Sequence, residues 1–122
     1  MGDDEMIIQI KGDTNFTINI DPGVWIFDER RFPIEPNSLG MALRPFLLNA
    51  EPKEDVHTAL IHRRDGEKIS LSYEEILDSY LCFAIDGKPL SEKQGGPALL
   101  YLRNQDHDQP IDSIQTIEMI SS

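Results

Sequence analysis

A chain of 122 residues with 39% hydrophobic and 27% charged side chains is sized for one ordinary core and is too apolar to stay disordered. Its 22 acidic against 11 basic residues give a formal net charge of −11, which excludes nucleic acid and anionic membranes as partners, since clustered basic side chains hold both. The lone cysteine, Cys82, excludes an internal disulfide and a cysteine-based zinc site.

No basic-then-apolar leader opens the chain. No apolar run approaches the ~18 residues of a membrane span, so a cytoplasmic protein forming a single domain over residues 1–122 is expected.

Met6 to Lys11 and Phe16 to Ile20 are rich in β-branched residues and are separated by Gly12-Asp13-Thr14-Asn15, the pattern of a β-hairpin. Phe16, Ile18 and Ile20 alternate with Thr17 and Asn19, which puts the apolar side chains on one face. Asp21-Pro22-Gly23 turns the chain, and Val24 to Phe27 reads as a short strand with Trp25 and Phe27 on the same face. That pair serves either the core or an exposed contact surface beside Arg30-Arg31.

Residues 28–37, interrupted by Pro33 and Pro36, read as loop. Leu39, Leu43, Phe46 and Leu47 then follow the i, i+4, i+7, i+8 spacing of a helix capped by Asn37 or Ser38. Pro45 must kink that helix or lie in its first turn.

Val56 to Arg63 and Lys68 to Leu71 read as strands joined by a tight Asp65-Gly66 turn. Ser72-Tyr73-Glu74-Glu75 is a capping box that opens a two-turn helix, Tyr73 to Ser79. Tyr80 to Ile85, Ala98 to Leu102 and Ile114 to Ile120 complete the strands, with a polar loop over Asn104 to Pro110. Many strands with two short helices and no regular βαβ units predict an α+β, β-rich domain with mixed sheets.

Chemistry-bearing residues are sparse. Arg30-Arg31 and Arg63-Arg64 are each bordered by acids, so each is either a local anion site or a solvated mixed-charge face. His57 and His62 are five apart, which on a strand places them on opposite faces and prevents joint chelation. His107 between Asp106 and Asp108 is either a weak divalent-cation site or the ordinary polarity of an exposed loop. Glu74 and Glu75 suit the start of a helix, and no nucleophile elbow, zinc-helix or phosphate-loop motif occurs. No catalytic residue is therefore assigned.

The stretch Phe83 to Leu102 sets Asp86-Gly87-Lys88-Pro89-Leu90 and Gly95-Gly96-Pro97 between two apolar runs. It resembles a segment of the molybdopterin-binding domain of sulfite-oxidase-like oxidoreductases, in which a strand leads into a Gly-x-Pro-Leu turn and then a Gly-Gly-Pro. The likeness continues upstream in the same order: Gly40 to Leu43 with Pro45 to Leu48, Val56 to His62, Asp65-Gly66, Ile69 to Leu71 and Tyr73 to Glu75. It covers residues 39–103 and implies that family's fold. For a pterin phosphate it offers Arg44, Arg63, Arg64, Lys88 and Lys93, with the amides of Gly95 and Gly96.

Enzymes of that family hold molybdenum through a cysteine thiolate placed before the Gly-x-x-Leu helix, and residues 21–38 contain no cysteine. Cys82, flanked by Leu81 and Phe83, reads instead as a small buried hydrophobe. The expectation is a non-catalytic binding or interaction module on a reduced scaffold, without metal or cofactor, and with a protein or small-molecule partner. The alternative is a pterin-dependent oxidoreductase, or a subunit of one, with an atypical metal site. A hydrolase or isomerase whose site the sequence does not advertise is the third reading.

Overall fold

The computed structural model describes residues 7–34, 36–103 and 110–121, which include ten strands in two five-stranded sheets. In the first sheet β1 (Ile8–Gly12) and β2 (Ile18–Ile20) pair antiparallel, as the Gly12 to Asn15 spacer predicts. The other edge of β1 takes β10 (Ile114–Ser121) in parallel, with Gln9 opposite Thr116 and Gly12 opposite Met119. β5 (Val56–Arg63) and β6 (Lys68–Ser72) follow antiparallel, giving the order β2-β1-β10-β5-β6. Ile8 and Ile10, Ala59 and Ile61, and Ile117 and Met119 recur at period two and are buried in the core.

The second sheet is antiparallel and is built on β7 (Ser79–Ile85), which is buried along almost all its length. β4 (Ser38–Ala42) lies on one edge and carries β3 (Phe32–Ile34) outside it. On the other edge β8 (Lys88–Pro89) pairs with Ala84 and Ile85, and β9 (Leu99–Leu102) pairs with Ser79 to Cys82. Met41, Leu81, Phe83 and Leu100 from this sheet join the first sheet's apolar residues in one core.

Two short helices, α1 (Arg44–Asn49) and α2 (Tyr73–Leu77), bury Leu47 and Ile76 in the same core. At the start of α2 the Ser72 hydroxyl accepts from the Glu75 amide at 3.0 Å, and the Glu75 carboxylate accepts from the Ser72 amide at 2.9 Å. The predicted capping box is therefore formed, although the helix stops at Leu77 and Ser79 already belongs to β7. Ser72→Ala is expected to lower stability by about 1 kcal/mol, read from urea unfolding.

Three local expectations are corrected. Val24 to Phe27 is no strand but part of a 3-10 helix, Pro22–Phe27, whose first turn Asp21 caps by accepting from the Gly23 amide at 3.1 Å. At three residues per turn, positions two apart cannot share a face, so Trp25 is buried at 4% exposure while Phe27 is 87% exposed. Second, the helix expected over Leu39 to Leu47 is a strand followed by a shorter helix. Pro45 sits in the first turn of α1, where its missing amide costs nothing, and upstream of it Leu39, Met41 and Leu43 recur at period two and pack on the core. Third, the 28–37 loop contains β3, where Pro33 is tolerated because the strand lies at the sheet edge.

Among the described residues no helix is long and apolar enough to cross a membrane. The polar loop expected over Asn104 to Pro110 and the His107 group lie outside the described residues, Pro110 excepted.

Candidate functional site

Arg63, at the end of β5, leads into the Asp65-Gly66 turn and is surrounded by acceptors. Its Nε donates to the Asp112 carbonyl at 3.1 Å and its Nη2 to the Asp112 carboxylate, while Nη1 donates to Asp65 at 3.0 Å and to Glu67. The bond to Asp112, with those to Glu67 and Asp65 behind it, raises the Arg63 pKa further above its already high value. Arg64 meets Glu92 at 3.2 Å, and its amide donates to the Ser113 carbonyl at 2.8 Å.

The Gly95-Gly96 turn closes on the same place. The Gly95 carbonyl accepts from the Ser113 amide at 2.9 Å, and a Cβ on Gly95 would fall 2.8 Å from Asp112 Cβ. Both amides of the pair are used inside the turn, Gly95 donating to the Glu92 carbonyl at 3.0 Å and Gly96 to the Ser91 carbonyl at 2.9 Å.

Of the seven residues singled out for a cofactor phosphate, Arg63, Arg64, Gly95 and Gly96 are thus brought together, with the Asp112 carboxylate between Arg63 and Gly95, while Lys93 is exposed. Arg44 in α1 and Lys88 in β8 are exposed on other elements. Both arginine pairs are mixed-charge faces: Arg30 donates to Asp28 through Nε at 3.0 Å and Nη2 at 2.8 Å, and Arg31 donates to the Asp28 carbonyl at 2.7 Å.

The side-chain hydrogen bond from Arg30 pulls the Asp28 carboxyl from 3.8 down to about 2. A folded-state value below the unfolded one contributes stability that is complete above the unfolded pKa of 3.8 and is lost as the pH falls through about 2. An NMR titration of the Asp28 carboxyl carbon is expected to give a midpoint near 2, and Arg30→Gln to return it toward 3.8.

His57 and His62 each have their own partner, Thr58 Oγ1 at 2.7 Å and Glu118 at 2.8 Å. Among the described residues no group of three or more His, Cys, Asp or Glu side chains could hold a metal ion. Cys82 is 2% exposed, its thiol faces the Ala84 carbonyl at 3.8 Å, and desolvation raises its pKa. Its burial among core residues leaves the sulfur no open side to solvent.

The 22–27 helix packs directly on β7 and β8. Its Trp25 meets the Phe83 ring edge-on at 5.5 Å and the Phe46 ring at 4.9 Å, and Arg30 lies over the far side of this group, 5.0 Å from the Phe46 centroid. The Trp25 indole therefore fills the space between the 22–27 helix, Phe46 of α1 and Phe83 of β7.

A second feature lies on the outer side of the β7 sheet and was not legible in the sequence. A Cβ on Gly40 would fall 2.7 Å from the Phe32 ring and 2.8 Å from Ile34 Cδ1, so the missing side chain lets β3 fold both residues over β4. Phe32 then meets Tyr80 edge-on at 5.6 Å, and Tyr80 stacks on its register partner Tyr101 at 5.3 Å with the rings 11° apart. Arg103 covers Tyr80 with Cζ 5.3 Å from the ring centroid, and its Nε faces Asp78 at 3.4 Å.

Phe32, Pro33, Ile34, Tyr80 and Arg103 line a groove of about 370 Å³. Burial, then the neighbouring Cys82 and Tyr80, raises the Tyr101 pKa above its ordinary value. Only register unites positions 32, 80 and 101, which is why spacing along the chain carries no signal of the group.

Two sheets around one core, one mixed and one antiparallel, with few short helices, define a small β-rich protein of the α+β class. Its fold is similar to that of the crystal structure of the sulfane dehydrogenase SoxCD from Paracoccus pantotrophus, with a TM-score of 0.68 at 12% sequence identity. The superposition covers 95% of this chain and 38% of that chain, so this protein spans well under half of its neighbour. No family model matches the chain, and no curated protein matches it in sequence.

Proposed function

We propose that the chain is a non-catalytic binding or interaction module on a reduced sulfite-oxidase-like scaffold of the molybdopterin-binding kind. The observation that carries this reading is Trp25: the segment preceding β4, where the resemblance would put a metal-ligating cysteine, instead drives an indole into the core against Phe46 and Phe83. The fold likeness to SoxCD supports the scaffold half of the proposal.

Two further observations favour it. The described residues do not fit a thiolate-held metal, because Cys82 is buried at 2% exposure and no group of three or more His, Cys, Asp or Glu side chains surrounds it. At the cluster itself a pterin phosphate is disfavoured, because Asp112, Asp65 and Glu67 already engage Arg63, and the Gly95 and Gly96 amides are used within their own turn. An external anion would have to displace these three carboxylates from the same guanidinium.

The test is an absorption spectrum of protein expressed in a host that makes the cofactor. Aromatic bands alone are expected. A visible cofactor band that survives gel filtration with the protein would overturn the proposal.

A further inference from the structure

We propose that the groove between β3 and β7 is the binding site of this module, and that it takes a small aromatic carboxylate. The inference rests on the binding-module reading and adds a ligand class to it.

The floor and walls are apolar and rigid. Phe32 and Ile34 are held down over Gly40, Tyr80 is fixed between Phe32 and Tyr101, and Pro33 has a fixed φ in an edge strand. A volume of about 370 Å³ lies in the range of small-molecule sites, and an aromatic ring placed edge-on or offset against Phe32 and Tyr80 continues the packing those rings already use.

Arg103 sets the charge of the ligand. Its guanidinium is the one charged group lining the groove among the described residues, and its ion pair to Asp78 uses Nε at 3.4 Å, long for a charge-assisted bond, with both side chains half exposed. Among the described residues neither Nη atom has a hydrogen-bond partner. Those two atoms form the edge of the fork that receives a carboxylate bidentately. A cationic ligand would meet the same guanidinium and be repelled.

The larger groove of about 580 Å³ beside Gln9, Asn19 and Thr116 has a different character. Its lining is mostly amide and hydroxyl, and its Arg64 is paired with Glu92, so it lacks both the apolar floor and the available cation.

The experiment is an NMR titration of the full chain with phenylacetate and, separately, with phenylacetamide. Saturating amide shifts are expected at Phe32, Ile34, Tyr80 and Arg103. The acid should bind about tenfold more tightly than the amide, and Arg103→Gln, an exposed substitution, should remove that preference while changing amide affinity by less than about twofold.

Absence of saturating shifts, equal affinity for acid and amide in the unsubstituted protein, or shifts centred on Gln9 and Thr116 would each overturn the assignment. A failed titration with cofactor-free protein leaves the non-catalytic reading standing, whereas co-purifying cofactor defeats that reading whatever the titration shows.

Discussion

Trp25→Ala is expected to lower the unfolding free energy by about 3 to 5 kcal/mol, the range for deleting a buried aromatic side chain from a core. The indole is 4% exposed and packs on two rings, so its removal forfeits both apolar burial and ring geometry worth about 0.5 to 1.5 kcal/mol per pair. Neither Phe46 nor Phe83 can collapse into the space without leaving its own contacts. The melting temperature should fall by about 10 to 20 °C. Phe27→Ala, two residues on and 87% exposed, should change stability by less than about 0.5 kcal/mol. Equal effects of the two substitutions would mean that the 22–27 segment is not the 3-10 helix described.

Gly12→Ala should be comparably severe, for a backbone reason. Gly12 adopts φ +108° at the end of β1, and a Cβ there would lie 2.4 Å from the Met119 carbonyl oxygen and 2.7 Å from the Met119 amide nitrogen. Those atoms belong to β10, where Met119 is the register partner of Gly12 and its carbonyl accepts from the Asp13 amide at 2.9 Å. Relief would require unpairing β1 from β10, the only parallel pair among the described residues.

Gly66→Ala separates the two contributions. Gly66 has φ +94° with nothing within 4 Å of a built Cβ, so it reports conformational strain alone, about 1 to 2 kcal/mol. Gly12→Ala should cost at least about 2 kcal/mol more than that, in the range of core overpacking. Urea unfolding of the two variants measures the difference directly.

How far the sequence could be read depended on whether the signal was local. The β5–β6 hairpin, the capping box of α2 and the buried run of β7 each carry their own short-range pattern, and each formed within a residue or two of its expected bounds. Residues 22–43 misled because short elements satisfy two periods at once. Leu39 and Leu43 are four apart, which suits a helix, and also lie on the same face of a strand, and Pro45 was the residue that decided between the two. Trp25 and Phe27 fell apart onto different faces once Asp21 and Pro22 started a tighter helix.

The candidate site shows the same division. The sequence pointed to Arg63, Gly95 and Gly96, and folding does bring them together, but Asp112, which lies 49 residues from Arg63, is what completes the cluster. No motif around Arg63 could announce that partner. The aromatic groove needed β3, β7 and β9 to be placed side by side, and the parallel β1–β10 pairing joins the two ends of the chain, so both are products of topology rather than of pattern.

The measurement that bears most directly on the central claim is the molybdenum content of the protein after purification from a host that makes the pterin cofactor. The buried Cys82 side chain, the indole of Trp25 packed on Phe46 and Phe83, and the carboxylates around Arg63 predict far less than one metal atom per chain. One molybdenum per chain, retained through gel filtration, would contradict the account.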